Sequence, residues 1–460
     1  MRPVARPVAR LTDPWRTAAR AQLRDDAGAF ALAALGLRLP GGEAEVADRL
    51  AGVLGAAGPR VRLTWPGPFP RVVAHPHADV VVVRAAPDGS LTGLRLHAGP
   101  ALDPATRARL DEAILAAANR VRALAQPRAA PRLARALHSL GGTRAERSYV
   151  RRVLAATVLV TEPGPAGLSL PGLRPVTPFG QGVLEVRCLP APGGATADLW
   201  VRVQHVALDG APMEELVTAL RAAFGVARAP VLTPAKLAEG RARSCSRRYP
   251  ADDPVGEVAV LGVADLRPVL AVRSRLAAAG VPMTLAALLG WLLTRHPALG
   301  GEIVAVPVDL PATATRPRTT TVVACDPGNV AGVAGYAAAF GAELALARRR
   351  ANAFTRMLRT AALLPLPLLG PVARAVPGSG RGVTGTLGVS VLKRSEVFVP
   401  AINDAYRAYL GIGDAGLPTV DGGTAAAVVL KCRRGELRVL AAAVDEVLTD
   451  PDRFAGAPPA

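Results

Sequence analysis

The sequence predicts a mixed α/β fold built from two similar halves. Three observations lead to this prediction. Strand and helix patterns alternate along the chain, and a stretch rich in Pro, Arg and Ser at 226–255 interrupts them near the middle. Each half also ends in the same order: a strand with a hydroxyl residue, further strand material, and a closing helix. With 460 residues, 50% of them hydrophobic, the chain is long enough for two lobes with a core each.

The first half, 1–225, opens its regular pattern with the apolar run DVVVVR, which predicts a buried strand at 80–83. Residues 104–126 place their apolar side chains on one stripe and predict an amphipathic helix. The other elements expected in this half are a basic helix near 132–140, strands at 155–161, 182–188 and 198–204, and a helix at 212–224. In the strand at 198–204 the residues Leu199, Val201 and Val203 share one face.

Residues 226–255 are interpreted as a linker, and the second half occupies 256–460. Its predicted strands are 258–261, 303–308, 384–392 and 426–431. Its predicted helices are 267–279, 284–295, 337–358 and 440–448. The helix at 284–295 is apolar and ends at His296 and Pro297.

The net charge of +19 comes almost wholly from arginine, because the chain contains only the lysines Lys236, Lys393 and Lys431. A charge of this sign attracts polyanions and phosphorylated ligands. The arginines are spread along the chain, however, and aromatic residues do not alternate with them as they do in proteins that stack single-stranded bases. Nucleic acid binding is therefore disfavoured, and part of the charge is available to grip a phosphorylated substrate.

The four cysteines, Cys188, Cys245, Cys325 and Cys432, lie far apart and form no CxxC pair. This pattern predicts no metal site and favours a reducing compartment. The longest apolar runs, 285–293 and 361–372, are respectively too short to span a bilayer and broken by three prolines. We therefore expect a cytoplasmic protein without membrane association.

The most informative motif is HxxxDG, formed by His205, Asp209 and Gly210 at a predicted junction between a strand and a helix. The residue before it is Gln204, and Ala211 extends it to HxxxDGA. A histidine followed by an acidic residue and glycine at this spacing is expected about 0.05 times by chance in a chain of this composition. An imidazole with an ordinary pKa of about 6.5 is suited to removing a proton at neutral pH.

HxxxDG in this context resembles the active-site motif of the CoA-dependent acyltransferase superfamily, which includes chloramphenicol acetyltransferase and peptide-synthetase condensation domains. The DGA ending is most similar to the catalytic domain of dihydrolipoamide acyltransferases. The segments 266–299 and GTLGVS at 385–390 resemble two further parts of that domain. The resemblance implies two chloramphenicol-acetyltransferase-like lobes, each a mixed sheet flanked by helices, which form a pseudo-dimer as in condensation domains.

The resemblance also assigns roles to residues. His205 is implied to be the general base, and Ser390 is implied to stabilise the oxyanion that forms when an acceptor attacks a thioester. Asp209 and Gly210 are implied to support the loop, with Thr161 and Gln204 as secondary candidates. In these families the residue before the histidine is His or Asp, so Gln204 is a departure from the pattern.

Thr161 is expected to be the first half's counterpart of Ser390. His205 lies 44 residues after Thr161, and the same step from Ser390 reaches Arg434, so the second copy lacks the histidine. The function predicted is acyl transfer from acyl-CoA, or from an acyl carrier protein with its phosphopantetheine arm, to a small-molecule hydroxyl, amine or thiol. The alternative is a non-catalytic acyltransferase-like scaffold or tailoring protein of a biosynthetic pathway. Either a monomer or a homotrimer is compatible with the sequence.

Overall fold

The structure is a computed structural model of the chain. It describes residues 32–64, 71–75, 79–88, 90–97, 99–123, 137, 139–161, 183–190, 194–204, 210–225, 257–311, 319–357, 385–392, 397–399, 406–413, 417–418, 424–433 and 435–456. The predicted linker at 226–255 lies outside these residues, as does nearly all of the basic helix expected near 132–140. No helix in the described part of the chain is long and apolar enough to cross a membrane.

The described residues of the first lobe form eight strands and four helices. The strands are β1 (Leu32–Pro40), β2 (Val61–Thr64), β3 (Arg71–Ala74), β4 (Val80–Ala85), β5 (Leu91–His97), β6 (Thr157–Thr161), β7 (Leu184–Pro190) and β8 (Thr196–Gln204). The helices are α1 (Glu43–Ala57), α2 (Pro104–Ala123), α3 (Arg144–Ala155) and α4 (Gly210–Ala223). The strand predicted at 155–161 is therefore shorter, because α3 continues to Ala155 and the strand begins two residues later.

The second half of the chain supplies the remaining elements. Its strands are β9 (Glu257–Asp265), β10 (Val304–Leu310), β11 (Thr319–Cys325), β12 (Leu387–Val391), β13 (Val397–Val399), β14 (Ala408–Ile412), β15 (Leu417–Pro418) and β16 (Thr424–Cys432). Its helices are α5 (Arg267–Ala278), α6 (Leu285–Arg295), α7 (Gly332–Arg348), α8 (Leu437–Thr449) and α9 (Asp452–Ala455).

Helix α7 ends earlier than predicted. The sequence suggested a helix to residue 358, but α7 stops at Arg348 and Arg350 takes a left-handed backbone with φ of 56°. The amide of Ala351 then donates back to the carbonyl of Leu346, a hydrogen bond that closes a helix C-terminus. The predicted helix is therefore interrupted at 349–352, and residues 353–357 are helical again.

The two lobes share one topology. In the first sheet the order is β1, β8, β7, β6, β4, β5, and in the second it is β9, β16, β14, β12, β10, β11. The directions agree pair by pair: β1–β8 and β9–β16 are antiparallel, β7–β6 and β14–β12 are parallel, and β4–β5 and β10–β11 are antiparallel. The predicted α/β pseudo-dimer of two mixed sheets flanked by helices is confirmed.

Each sheet packs helices against its faces. In the first lobe α1 and α4 cover one face, and α2 and α3 cover the other around β4, β5 and β6. In the second lobe α6 lies in the core, with every residue from Leu285 to Thr294 buried. Gly290 permits this depth, because a Cβ there would lie 2.3 Å from a methyl carbon of Val304 on β10.

One strand crosses between the lobes. β13 belongs to the second half of the sequence, but it pairs with the edge of β1 in the first sheet, with Gly36 opposite Val397. The side chain of Phe398 is buried in the core of the first lobe, and Leu392 packs against the same core. The second half therefore completes the sheet of the first.

Candidate active site

The HxxxDG segment lies between β8 and α4. Strand β8 ends at Gln204, and α4 begins at Gly210. His205 and Asp209 fall within 205–209, outside the described residues. The strand and the helix predicted on either side of this segment are both present, and they are held by the first sheet and by the apolar face of α4.

Strand β8 has two distinct faces at its carboxyl end. Leu199, Val201 and Val203 are buried against α1 and α4, as their alternation predicted. Arg202 projects from the opposite face, where its Nη1 lies 3.1 Å from Oε1 of Glu185 on β7. Arg202 and Glu185 are direct neighbours across the two strands, and both are buried, at 2% and 7% exposure. A charge pair this deeply buried needs close pairing to offset desolvation, so it orders the strand end that leads into the motif.

Ser390 is buried near the end of β12, at 6% exposure. Leu387 and Val389 face the core around α6, so Ser390 and Gly388 lie on the opposite face of the strand. The Oγ of Ser390 lies 2.7 Å from the hydroxyl oxygen of Tyr409, on the neighbouring strand β14. These two hydroxyls form a hydrogen-bonded pair inside the second lobe.

Tyr409 lies over Gly388, its direct neighbour across the two strands. A Cβ at residue 388 would come within 2.2 Å of the Tyr409 ring, so only glycine leaves room for the ring in this position. The ring of Tyr406 meets that of Tyr409 edge-on, with 5.2 Å between centroids. Burial raises the pKa of Tyr406 well above its ordinary value, which keeps its hydroxyl protonated. Tyr409 thus contacts Ser390 through its hydroxyl and Tyr406 through its ring.

Thr161 and Ser390 do not occupy equivalent places. Thr161 is the last residue of β6 and is buried. On β6, Val158 and Val160 pack with α2 and α3, whereas Leu159 packs on the face covered by α1. By alternation Thr161 shares the face of Leu159, whereas Ser390 lies on the face turned away from α6. Relative to the helices that cover each sheet, the two hydroxyl residues therefore lie on opposite faces of β6 and β12.

The strand that corresponds to β8 in the second lobe is not followed by a histidine. β8 and β16 occupy the same place in their sheets, and each is nine residues long. The residue after β8 is His205, and the residue after β16 is Arg433. Only the first lobe therefore carries a histidine at this strand end.

The end of β12 and the helix after the motif meet one hydrophobic core. Leu392, two residues beyond Ser390, packs against the core cluster of the first lobe. That cluster includes Met213 and Val217 of α4, the helix that begins at Gly210. Leu392 and the apolar residues of α4 therefore belong to the same core, that of the first lobe.

Sequence patterns did not reveal Tyr409, Glu185 or Arg202 as site residues. Two signals could have found them: the glycine two residues before the strand serine, and the charged residues inside the strands LEVRCLP and TADLWVRVQ. The structure describes no group of three or more His, Cys, Asp or Glu side chains that could hold a metal ion.

Neither the scan against protein-family models nor the search of curated proteins found a match. Solved structures do resemble the chain over nearly its whole length. The tallysomycin biosynthesis protein TlmII is 14% identical with a TM-score of 0.46, and the match covers 98% of this chain and 100% of that one. The first condensation domain of the calcium-dependent antibiotic synthetase, solved with a substrate analogue, is 15% identical with a TM-score of 0.47, covering 98% and 97%.

The starter condensation domain of rhizomide synthetase, solved with C8-CoA and Leu-SNAC, is 11% identical with a TM-score of 0.49, covering 97% of this chain and 94% of that one. Condensation domains are members of the CoA-dependent acyltransferase superfamily. The HxxxDG segment of this chain resembles the active-site motif of the same superfamily.

Proposed function

We propose that this protein is an acyltransferase that moves an acyl group from a CoA or carrier-protein thioester to a hydroxyl, amine or thiol of a small molecule. The observation that carries the proposal is that two segments pack against the core of the first lobe. One is α4, which follows His205 and Asp209, and the other is the end of β12, which carries Ser390. This arrangement supports a reaction centre between the lobes.

In the proposed reaction the acceptor attacks the thioester carbonyl, and its proton passes to the imidazole of His205. The new bond joins the acceptor atom to the carbonyl carbon, whose oxygen takes up the negative charge. When the intermediate collapses, the carbon–sulfur bond breaks and the thiolate takes the proton back from His205. No acyl-enzyme intermediate is needed, and a general base of this kind contributes about 10²- to 10⁴-fold.

Ser390 is proposed to donate its hydroxyl hydrogen to the developing oxyanion. A hydroxyl can donate one hydrogen bond while it accepts another. If Tyr409 donates to the Oγ of Ser390, across the 2.7 Å separation, the serine hydrogen is left for the substrate oxygen. Removing one such donor typically lowers kcat about 10²- to 10³-fold.

The remaining candidates have supporting roles in the proposal. Asp209 holds the loop by pairing with an arginine, and Gly210 starts α4 immediately after it. Gln204 ends β8 and leads directly into His205. Thr161 has no chemical role in the proposal, because its side chain lies on the face of the first sheet that α1 covers.

The test is thiol release from a panel of acyl-CoAs offered with amine, alcohol and thiol acceptors. We expect His205→Ala to lower turnover by about three orders of magnitude, because the base is lost. The matched control is His97→Ala, since His97 is exposed at the end of edge strand β5. Activity of His205→Ala within a few-fold of the unmodified protein would contradict the proposal and favour the non-catalytic scaffold.

A further inference from the structure

The first sheet ends at β5, the last strand on one side of it in the described part of the chain. A strand in this position presents N–H and C=O groups that can pair with a strand of another molecule. β11 holds the equivalent place in the second sheet, but there α4 of the first lobe lies against the strand. The described elements in closest contact with β5 are β4 and α2, both of the first lobe. The pseudo-dimer therefore treats its two equivalent sheet edges differently.

The side chain of Asn119 on α2 takes the place of a neighbouring strand at Leu91, the first residue of β5. Its Oδ1 accepts from the amide of Leu91 at 2.8 Å, and its Nδ2 donates to the carbonyl of Leu91 at 2.9 Å. An exchange of two such hydrogen bonds is how directly opposite residues pair in an antiparallel sheet. Leu91 is buried, so these two backbone groups depend on Asn119 for their hydrogen bonds.

The second lobe carries the same device at its own edge. Nδ2 of Asn352 donates to the carbonyl of Val322 on β11 at 2.7 Å. Val322 lies opposite Pro307, which has no amide hydrogen to donate to that carbonyl. Asn119 follows Leu91 by 28 residues, and Asn352 follows Val322 by 30, each close to the end of the helix after the edge strand. Both halves of the repeat therefore place an asparagine amide on the edge strand, although only one has the histidine motif.

Other features of β5 also discourage pairing, but they act farther along the strand. The register between β4 and β5 shifts between Arg84 and Ala85, as in a β-bulge. The side chains of Arg95 and His97 near the end of β5 are exposed. Bulges and charged side chains on edge strands both disfavour the addition of a further strand. Asn119 protects the one end of β5 that these features leave accessible.

We propose that Asn119 closes the edge at β5 to pairing with a second copy of this chain, and that the protein is monomeric for this reason. Without Asn119, the N–H and C=O of Leu91 lack partners, which carries a desolvation cost. Antiparallel pairing of β5 with β5 of a second copy satisfies these groups in both chains at once, because a two-fold interface uses the same surface twice. The inference does not depend on the proposed acyl transfer.

The test is the average mass of the purified full chain, measured by light scattering at increasing protein concentration. The unmodified protein should keep the mass of one chain throughout, whereas Asn119→Ala should rise toward the mass of two. Alanine favours the helix, so α2 is retained in the variant. The matched control is Asn329→Ala, because the amide of Asn329 is exposed and donates to the carboxylate of Asp326 instead of a strand. This control should keep the mass of one chain.

Hydrogen exchange of the peptide that contains Leu91 separates edge closure from a purely structural role. In dilute Asn119→Ala the amide of Leu91 should exchange about five-fold faster than in the unmodified protein, because its hydrogen bond is lost. Protection should return as the concentration of the variant rises, since the second copy then supplies an acceptor. Exchange that stays fast at every concentration would overturn the proposal. A single-chain mass for Asn119→Ala at every concentration, or a dimer of the unmodified protein, would overturn it as well.

Discussion

At the scale of single residues, the contact between Gly388 and Tyr409 fixes the position of the Tyr409 ring in the second lobe. The ring of Tyr409 occupies the space that any other side chain at 388 would fill, and its hydroxyl reaches Ser390 from there. A buried hydroxyl that loses its partner carries a desolvation cost of about 1–3 kcal/mol. The position of Ser390 and the stability of the strand pair are therefore linked through one glycine.

Gly388→Ala should destabilise the protein by about 1–3 kcal/mol, because the added methyl group forces the Tyr409 ring away from Ser390. Urea unfolding followed by tryptophan fluorescence measures the change. The control is Gly52→Ala on α1, where a Cβ would meet nothing within 4 Å and where alanine favours the helix. Equal stability of Gly388→Ala and Gly52→Ala would show that the ring contact is not required.

At the scale of elements, α3 begins with a capping box. The hydroxyl of Thr143 accepts from the amide of Glu146 at 3.2 Å, and the carboxylate of Glu146 accepts from the amide of Thr143 at 2.7 Å. Arg109 on α2 also donates to the Glu146 carboxylate at 2.5 Å. The hydrogen bond from Thr143 and the charge of Arg109 lower the pKa of Glu146 below its ordinary value of 4.5. The contact between Arg109 and Glu146 therefore joins α2 to the first turn of α3.

The stability that Glu146 contributes should depend on pH. Its pKa is lower in the folded state than in the unfolded chain, so the contribution is present above the unfolded pKa and is lost as the pH falls through the folded one. We expect Glu146→Gln to be less stable than the unmodified protein at pH 7 and to approach it below about pH 4. Urea unfolding across this range measures the difference. Glu112→Gln, on the exposed side of α2, should show a smaller pH-dependent difference.

At the scale of the whole molecule, the two lobes are joined by β13, a strand of the second half that pairs with the sheet of the first. β13 pairs with β1, and Phe398 and Leu392 carry second-half side chains into the first lobe's core. A buried phenylalanine contributes several kcal/mol when it is fully packed. The lobes should therefore unfold as one unit even though each has a separate core.

Phe398→Ala should lower stability by about 3–5 kcal/mol and divide unfolding into two transitions, since it removes an anchor between the lobes. Differential scanning calorimetry distinguishes one transition from two. Phe340→Ala is the matched control, because Phe340 is similarly buried but lies only in the second lobe's core. It should reduce stability without separating the transitions. A single transition in Phe398→Ala would mean that β13 does not couple the lobes.

Local patterns were sufficient for elements with strong periodicity. The strand at 198–204 and the helix at 284–295 appear as Thr196–Gln204 and Leu285–Arg295, because alternation and an apolar surface define them without knowledge of their partners. β1 and β13 were not predicted. Their segments are rich in Ala and Gly or very short, and they become strands through pairing with residues distant in the chain.

The sequence alone determined the α/β class, the repeated halves and the single histidine motif, because these follow from local periodicity and from a short motif. Tertiary structure decided which hydroxyls share a face. It put Thr161 and Ser390 on different faces and paired Ser390 with Tyr409. A shift of one residue reverses the face of a strand, and contacts between distant elements depend on packing, so neither could be read from spacing along the chain.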